Sequence, residues 1–248
     1  MCETCGCTPA LSANTQTVEV LSAVFAANDR AAAHNRLHLG SHGVLAVNLM
    51  SSPGAGKTAL LEAVIDTLGK KYRLGVIEGD LETENDAQRI RAKGIPAIQI
   101  NTGSACHLDA SLIHTAMHQL NLDTIDILFI ENIGNLVCPA VYDLGQEANV
   151  ILLSVTEGDD KPAKYPVMFR VADLLLVSKT DLLPYLDDFK VDRAENCLRK
   201  LANRAPIIPI SVRSGQGMDD WLHWLEQRYQ AFRKSCSQTN LPHDHHHP

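Results

Sequence analysis

The segment Ser51–Thr58, SSPGAGKT, contains the residue types of a phosphate-binding loop. It follows the apolar run 44–50 and opens a segment with helical patterning, which is the strand–loop–helix context that such loops require. Amides of a glycine-rich loop can surround a polyphosphate, a lysine can reach its terminal oxygens, and a threonine hydroxyl suits Mg²⁺. Ser51 replaces the first glycine of the usual pattern. We expect a nucleoside triphosphate with Mg²⁺ to bind through Ser52, Gly54, Ala55, Gly56, Lys57, Thr58 and Ala59.

Carboxylates end two of the later apolar runs. Ile127–Glu131 continues to Gly134 in an acid-x-x-Gly pattern, which places a carboxylate near Mg²⁺ and a glycine amide near the γ-phosphate. Asp80 ends another run and can order the attacking water or bind Mg²⁺. Asn135 stands where a water-positioning Gln is common, so unstimulated hydrolysis should be slow. We assign catalysis to Lys57, Asp80 and Glu131, and Mg²⁺ binding to Thr58, Asp80 and Glu131, leaving open whether Glu131 acts directly or through water.

The segment 178–181, Ser-Lys-Thr-Asp, also ends an apolar run and resembles the Asn-Lys-x-Asp element that recognises guanine. Guanine offers N1–H and an exocyclic amine, two donors that one carboxylate accepts together, whereas adenine cannot supply both. Asp181 is therefore the predicted base-recognising residue, and the Lys179 stem can cover the ring. Ser178 in place of Asn is expected to weaken the contact that ties the loop. A backbone N–H for the guanine carbonyl is expected from Ser211, Val212 and Arg213, so GTP is favoured over ATP.

Three cysteines lie within the first seven residues, on a segment too short to fold alone: Cys2, Cys5 and Cys7. In a reducing compartment this density favours metal binding over a disulfide framework. If Met1 is removed, the α-amine of Cys2 can join the three thiolates in one plane, a geometry that suits Ni²⁺ better than Zn²⁺. The alternative is a reduced tail that binds no metal.

A second group of metal ligands is predicted from Cys106, His107 and Cys138. The adjacent Cys-His pair follows a Gly-Ser turn, and Cys138 comes four residues after Gly134. Both loops are expected to flank the nucleotide, so loss of the γ-phosphate could move the ligands. Because one chain supplies few further ligands nearby, we expect this Ni²⁺ or Zn²⁺ site to lie at a symmetric subunit interface.

The elements that must position these residues are strands and helices in alternation. After the phosphate loop, runs rich in Val, Ile and Leu alternate with helical patterns at 74–78, 97–100, 127–131, 150–155, 174–178 and 207–211. Continuous apolar runs are typical of strands buried on both faces, so the sequence predicts an α/β fold with a doubly wound, mostly parallel sheet. Ligands bind beyond the carboxyl ends of such strands. The predicted organisation is a flexible Cys-rich tail at 1–16, a lead-in helix at 17–43, a G domain at 44–234 and a flexible His-containing tail at 235–248.

The lead-in helix carries His34, His38 and His42, each four residues from the next. If the helix reached His42, the three rings would share one face and could bind a metal. Gly40 and Gly43 predict that the helix ends earlier, which favours a solvated histidine face over a ligand set.

Composition excludes several classes of partner. The chain has 248 residues and a net charge of −7 with both signs interspersed, so a nucleic-acid-binding surface is not expected. No apolar run approaches the roughly 20 residues of a membrane span. The N-terminus also lacks the pattern of a secretory leader, so we expect a cytoplasmic protein.

Together these motifs resemble the nickel-inserting GTPases of hydrogenase maturation, the HypB family. The resemblance runs from Met1 to about residue 234 and is carried by the CxxCGC start and the blocks 48–54, 78–80, 101–108 and 131–139. It implies a SIMIBI-class P-loop GTPase whose two chains dock across their nucleotides. It also implies that Cys2, Cys5 and Cys7 form the tight nickel site, and that Cys106, His107 and Cys138 form a weaker, nucleotide-sensitive one.

The function that this resemblance implies is that of a GTP-hydrolysing nickel metallochaperone. Its expected partners are a second copy of the chain, a HypA-like nickel accessory protein and the precursor of a [NiFe]-hydrogenase large subunit. One alternative is a nickel or zinc storage or sensing protein in which the nucleotide only sets conformation. Another is a nickel-accessory GTPase of the urease type.

Overall fold

The computed structural model of the chain describes residues 13–80, 85–103 and 106–239. Within them, seven parallel strands form one sheet in the order β3-β2-β4-β1-β5-β6-β7. The strands are β1 Leu45–Ser51, β2 Leu74–Asp80, β3 Ala97–Asn101, β4 Ile127–Glu131, β5 Ala148–Ser154, β6 Leu174–Ser178 and β7 Ile207–Pro209. The predicted α/β class with a parallel sheet is confirmed.

The helices that connect and flank the strands are α1 Ala13–His42, α2 Lys57–Leu68, α3 Asn85–Ala92, α4 Ala110–Met117, α5 Lys161–Lys164, α6 Pro166–Arg170, α7 Val191–Lys200 and α8 Met218–Thr239. Short 3₁₀ turns lie at Leu122–Thr124, Cys138–Val141 and Thr180–Tyr185. No helix among the described residues is both long enough and apolar enough to cross a membrane.

Alternating strand residues enter hydrophobic clusters on opposite faces of the sheet. Leu45, Val47 and Leu49 of β1 pack with α2 and α8, whereas Val44 and Ala46 pack with α1 and α4. A third cluster covers the β5–β6 side with α6 and α7. Because both faces of the sheet are buried in this way, the strands are apolar almost without interruption, and the fold is doubly wound.

The strand order brings the predicted site residues to one edge. β1 lies between β4 and β5, and Glu131 of β4 stands in register with both Leu49 of β1 and Glu78 of β2. On the other side, Ser154 of β5 pairs with Ser178 of β6. The carboxyl ends of these strands therefore form one continuous rim around the phosphate loop.

The bounds of the terminal helices differ from those predicted. α1 already begins at Ala13, inside the segment 1–16 assigned to the tail, and α8 continues to Thr239, five residues past the predicted end of the G domain. The prediction that α1 stops before His42 was wrong, since the helix passes through Gly40 and ends at His42. The predicted Cys2, Cys5 and Cys7 site and the histidines of the C-terminal tail lie outside the described residues.

Candidate functional site

The phosphate loop joins the end of β1 to the start of α2. Gly54 and Gly56 have φ of 75° and 104°, a region that residues with side chains rarely adopt, and α2 begins at Lys57. Lys57 is buried, and its Nζ donates a hydrogen bond to Ser51 Oγ at 3.0 Å. Ser51 Oγ donates in turn to the carbonyl of Ser52. Ser51 belongs to β1 and needs no positive φ, so it supplies a hydroxyl for Lys57 at no conformational cost.

A polar cavity of about 420 Å³ opens beside this loop. Thr58 Oγ1 lies 3.0 Å from Glu131 Oε1 and 3.3 Å from Asp86 Oδ2. The lining of this cavity includes Gly54, Gly56, Lys57, Thr58, Glu78, Asp80, Asp86, Arg89, Glu131 and Gly134. The three predicted Mg²⁺ ligands, Thr58, Asp80 and Glu131, are therefore brought to one cavity.

Two buried carboxyl groups in this cavity each have one oxygen without a hydrogen-bond partner among the described residues. Glu78 Oε2 and Glu131 Oε2 are both buried without one. Burial raises the pKa of Glu78 to about 8, with the charge of Glu131 adding to the effect. Burial likewise raises the pKa of Glu131 to about 7, against the opposing influence of the Lys57 ammonium. Orphaned carboxylate oxygens beside a threonine hydroxyl are a donor set that fits Mg²⁺.

Glu78 is a site residue that the sequence-based assignment missed, since it named Asp80 alone from the same strand. The signal was present in the sequence: an acid inside the otherwise apolar run LGVIEGD has no structural reason to be buried. Its register opposite Glu131 explains why the two side chains approach one another.

A second, more apolar cavity of about 340 Å³ lies on the other side of the loop and has the predicted base-recognising residues in its walls. Asp181, Lys179, Val212 and Arg213 line it together with Ala55, Gly56, Ala59 and Ile210. Ser211 Oγ donates to Asp181 Oδ1 at 2.7 Å and so fixes the carboxylate that would face the base. The cavity fits a planar heterocycle that offers two adjacent donors.

Hydrogen bonds hold the loops after β6 and β7 against the phosphate loop and against each other. Ser178, in place of the usual Asn, still ties the loop, since its buried hydroxyl donates to Ala55 O at 2.8 Å, and Lys179 Nζ donates to Gly54 O at 2.7 Å. The backbone N–H of Ser211 donates to Gln216 O. Of the three residues predicted to offer a backbone N–H to the base, Val212 and Arg213 therefore stay candidates, while Ser211 contacts Asp181 through its hydroxyl.

The predicted metal ligands Cys106, His107 and Cys138 come together as one group. Their ligand atoms all lie within 4.8 Å of one another, and Cys106 Sγ is 2.9 Å from Cys138 Sγ. His107 stacks on Tyr142 with ring centroids 4.0 Å apart, and burial lowers its pKa, which favours the neutral ligand form. Among the described residues no fourth such ligand joins the group. Two thiols and one imidazole suit Ni²⁺ or Zn²⁺.

The loop 131–138 links the phosphate cavity to this group. Asn135 Oδ1 accepts hydrogen bonds from the backbone N–H of Val137 and Cys138, and Asn135 Nδ2 donates to Cys106 O at 3.4 Å. At Gly134 the loop touches the phosphate loop, since a Cβ there would lie 2.8 Å from Pro53 Cα. The chain between Glu131 and Cys138 thus contacts both sites.

Comparison with known proteins identifies relatives that cover most of this chain. Residues 45–209 match the family model described as CobW/HypB/UreG, nucleotide-binding domain. The chain is 53% identical over 209 residues to the hydrogenase maturation factor HypB of Escherichia coli K12, covering 84% of this chain and 72% of that one. It is 43% identical to the hydrogenase/urease maturation factor HypB of Helicobacter hepaticus, covering 87% and 89%.

A solved structure agrees with these relationships. The crystal structure of HypB from Helicobacter pylori in complex with nickel superposes with a TM-score of 0.79 at 43% identity, covering 82% of this chain and 95% of that chain. From its fold, its motifs and these identities, the chain belongs to the HypB family of hydrogenase maturation factors, within the CobW/HypB/UreG nucleotide-binding domains.

Proposed function

We propose that this chain is a cytoplasmic, GTP-hydrolysing nickel metallochaperone that delivers Ni²⁺ during maturation of a [NiFe]-hydrogenase. The observation that carries the proposal is the loop 131–138. It begins at the buried carboxylate Glu131 in the phosphate cavity and ends at the metal ligand Cys138. A change at the γ-phosphate can therefore reach the metal ligands through one short, hydrogen-bonded segment.

Hydrolysis would use the residues around the phosphate cavity. Lys57 neutralises charge on the terminal phosphates, while Thr58, Glu131 and Asp80 hold or orient Mg²⁺ and the attacking water. Glu78 is a further candidate, since its carboxyl is buried with an unpaired oxygen in the same cavity. The Asn135 side chain is engaged with the metal-binding loops, which supports slow unstimulated turnover.

Nickel would be the cargo of the Cys106, His107 and Cys138 group, which also suits Zn²⁺. Such a group lacks a complete ligand set in one chain as far as the described residues show, and this supports completion by a second copy. Val137 and Val141, next to Cys138, are 54% and 45% exposed, so an apolar surface surrounds the ligands. We therefore propose a homodimer formed across this surface in the GTP state. Cys2, Cys5 and Cys7 are proposed as a tighter nickel site.

The names of the relatives support the proposed destination of the metal. The E. coli relative is named a hydrogenase maturation factor, which supports a hydrogenase large-subunit precursor as recipient and a HypA-like protein as the accessory partner. The Helicobacter hepaticus relative is named a hydrogenase/urease maturation factor, so urease maturation is a second candidate for the same chemistry.

The proposal is tested by complementation in a hydrogenase-producing bacterium that lacks its own HypB. The unaltered chain should restore hydrogenase activity, whereas Cys106→Ala and Asp181→Asn should each abolish most of it. Cys197→Ala is the control, because Cys197 lies on α7, away from the site residues, and should complement fully. Full complementation by Cys106→Ala would contradict the proposal.

Storage is separated from delivery by nickel transfer in vitro. A delivery protein should release Ni²⁺ to an acceptor chelator slowly with a non-hydrolysable analogue, and faster during GTP turnover and with GDP. Equal release rates in all three nucleotide states would favour storage or sensing.

A further inference from the structure

Five histidines that the nucleotide and metal sites do not use lie together between α1 and α4. His34, His38 and His42 follow one another along α1, and His114 and His118 lie at the end of α4. The ring centroids are 5.0 Å apart for His34 and His114, 4.5 Å for His114 and His118, 5.6 Å for His38 and His118, 6.4 Å for His34 and His38, and 5.0 Å for His38 and His42.

Three of these rings are close to the spacing of rings around a single metal ion, and a fourth lies beside them. A metal–imidazole nitrogen bond is about 2.0–2.1 Å, so a bound ion lies about 3.2 Å from each ring centroid, and two neighbouring rings have centroids roughly 4.5–5.2 Å apart. The contacts of His114 with His34 and His118 meet this range. His38, at 5.6 Å from His118 and 6.4 Å from His34, would have to move inward to bind the same ion. The Nε2 atoms of His114 and His118 are 3.1 Å apart, which is a chelating separation for the i, i+4 pair.

Asn35 orients one of the rings for ligation. The buried Asn35 amide donates from Nδ2 to the carbonyls of Ala110 and Leu144, so its Oδ1 must act as an acceptor. His114 Nδ1, 3.2 Å from Asn35 Oδ1, therefore carries the proton. Its Nε2 is then the acceptor in the 3.1 Å contact with His118 Nε2, and a bound ion would replace the proton between the two nitrogens. This second-layer support is the arrangement that fixes the tautomer of metal-binding histidines.

The rings are accessible and favour the neutral form. His34 and His118 are exposed, and His38 and His114 are half-buried, so an ion can enter from solvent. Burial lowers the pKa of His38 and of His114, and the neighbouring rings lower both further. The nearest acid is already engaged, since Asp123 Oδ1 lies 2.8 Å from His42 Nδ1.

We propose that His34, His38, His114 and His118 form an all-imidazole binding site for a divalent transition-metal ion such as Ni²⁺, Cu²⁺ or Zn²⁺. Imidazole nitrogen is a borderline ligand that suits these ions and discriminates against Mg²⁺ and Ca²⁺, which prefer oxygen. The site is distinct from the Cys106, His107 and Cys138 group, and it does not depend on the proposed function.

The test uses the full chain in a background from which other strong ligands are removed. Cys2, Cys5, Cys7, Cys106 and Cys138 are changed to Ser, and His243, His245, His246 and His247 to Asn. Titration with Ni²⁺ and Zn²⁺ should show one ion bound per chain. His114→Asn with His118→Asn should weaken that binding at least tenfold, because a chelating pair is lost. His223→Asn on α8, where the ring is hydrogen-bonded to Gln227, is the matched control and should leave binding unchanged.

Spectroscopy provides a second measurement. Co²⁺ bound in this background should show ligand-field bands without thiolate charge transfer, and these bands should vanish in the double histidine variant. If the multiple-cysteine background fails to fold, the double variant in the otherwise unaltered chain should bind one Ni²⁺ fewer than the unaltered chain. The proposal would be overturned if the background protein bound no ion. It would also be overturned if the double histidine variant bound as many ions per chain as the protein that keeps His114 and His118. Either result would mean that the rings stack without a metal.

Discussion

The proposed base selection depends on a single carboxylate, Asp181, whose orientation is fixed by its neighbour. Ser211 Oγ donates a hydrogen bond to Asp181 Oδ1 at 2.7 Å, and Asp181 lines the more apolar cavity. Asp181 could be singled out from four residues of sequence, because an acid at this place matches the two donors of guanine. The role of the Ser211 hydroxyl could not, since it depends on how the loops after β6 and β7 pack together.

Asp181→Asn should exchange guanine preference for xanthine preference. The amide offers one acceptor and one donor, which match N1–H and the C2 carbonyl of xanthine. Losing a hydrogen bond to a charged group costs about 1.5–3 kcal/mol, so GTP affinity should fall roughly 10- to 150-fold while XTP affinity rises. Nucleotide titration measures both.

Asp187→Asn is the control for this substitution, because Asp187 is exposed and lies outside the cavity. Its nucleotide affinities should match those of the unaltered chain. Retained GTP preference in Asp181→Asn would remove the assignment.

Glu78 should make the nucleotide-free protein less stable as the pH rises. Its carboxyl has a pKa of about 8 in the folded protein against an ordinary value of 4.5, so the folded state keeps a proton that the unfolded chain releases. The free energy of unfolding therefore falls with increasing pH between these values. The contribution of Glu78 is best separated between pH 7 and 8, because Glu131, whose pKa is about 7, loses most of its remaining proton in the lower part of this range.

Glu78→Gln should flatten this decline, and thermal unfolding at pH 7 and pH 8 measures it. Glu62→Gln is a suitable comparison, because Glu62 pairs with Arg89 at the surface and should leave the decline unchanged. A decline of the same slope in Glu78→Gln would show that another group titrates.

At the scale of elements, the loop 131–138 has two tight contacts that fix its path. Gly134 packs against Pro53, and Asn135 is hydrogen-bonded to the backbone of both Cys106 and Cys138. The need for glycine at 134 comes from this close approach, because its φ is ordinary. The loop is therefore held between the phosphate loop and the metal ligands.

Gly134→Ala should push the two loops apart. The added Cβ would meet Pro53 backbone atoms at 2.8–2.9 Å, which forces a shift, and we expect GTP affinity and hydrolysis to fall at least tenfold. Hydrolysis assays and nucleotide titration measure the loss. Gly40→Ala is the matched control, since nothing lies within 4 Å of a Cβ at that helical position, and it should be neutral or stabilise the chain by up to about 1 kcal/mol. Equal activity of the two variants would contradict the packing argument.

The end of α1 shows where element prediction failed and why. Gly43 has a φ of 67°, its N–H donates to Gly40 O, and the N–H of Val44 donates to Leu39 O. This pair of bonds is a Schellman motif with Gly43 as the terminating glycine. Gly40 lowers helix propensity by about 1 kcal/mol, which burial of Leu39 and Val44 in the core overrides. Strand positions were predicted well, because buried parallel strands have a strong apolar signature.

At the scale of the molecule, the sheet places two cavities and one metal group on a single rim. The sequence predicted a doubly wound, mostly parallel sheet but not the order of its strands, since the apolar runs do not indicate which strands are neighbours. The convergence of Cys106 with Cys138, 32 residues apart, is the clearest gain from the fold. The surface formed by Val137 and Val141 beside them was not predicted, because exposure depends on the completed tertiary structure.

Val137→Asp should weaken the proposed dimer. A charge placed in an apolar contact surface is costly to bury. The dimer formed with Ni²⁺ and a GTP analogue should therefore dissociate at a higher protein concentration than the dimer of the unaltered chain. Sedimentation at several protein concentrations measures this. Val167→Asp is the control, because Val167 is similarly exposed at 47% but lies on α6. Identical dimer stability in both variants would place the interface elsewhere.

The central claim is that the metal group at Cys106, His107 and Cys138 responds to the γ-phosphate through Asn135. The most direct measurement is the Ni²⁺ affinity of the chain carrying Cys2→Ser, Cys5→Ser and Cys7→Ser, taken with a non-hydrolysable GTP analogue and with GDP. Coupling free energies of this kind are typically about 1–3 kcal/mol, so affinity should be roughly 5- to 150-fold higher with the analogue. Asn135→Ala should bring the two affinities together. Equal affinities in both nucleotide states with Asn135 in place would contradict the account.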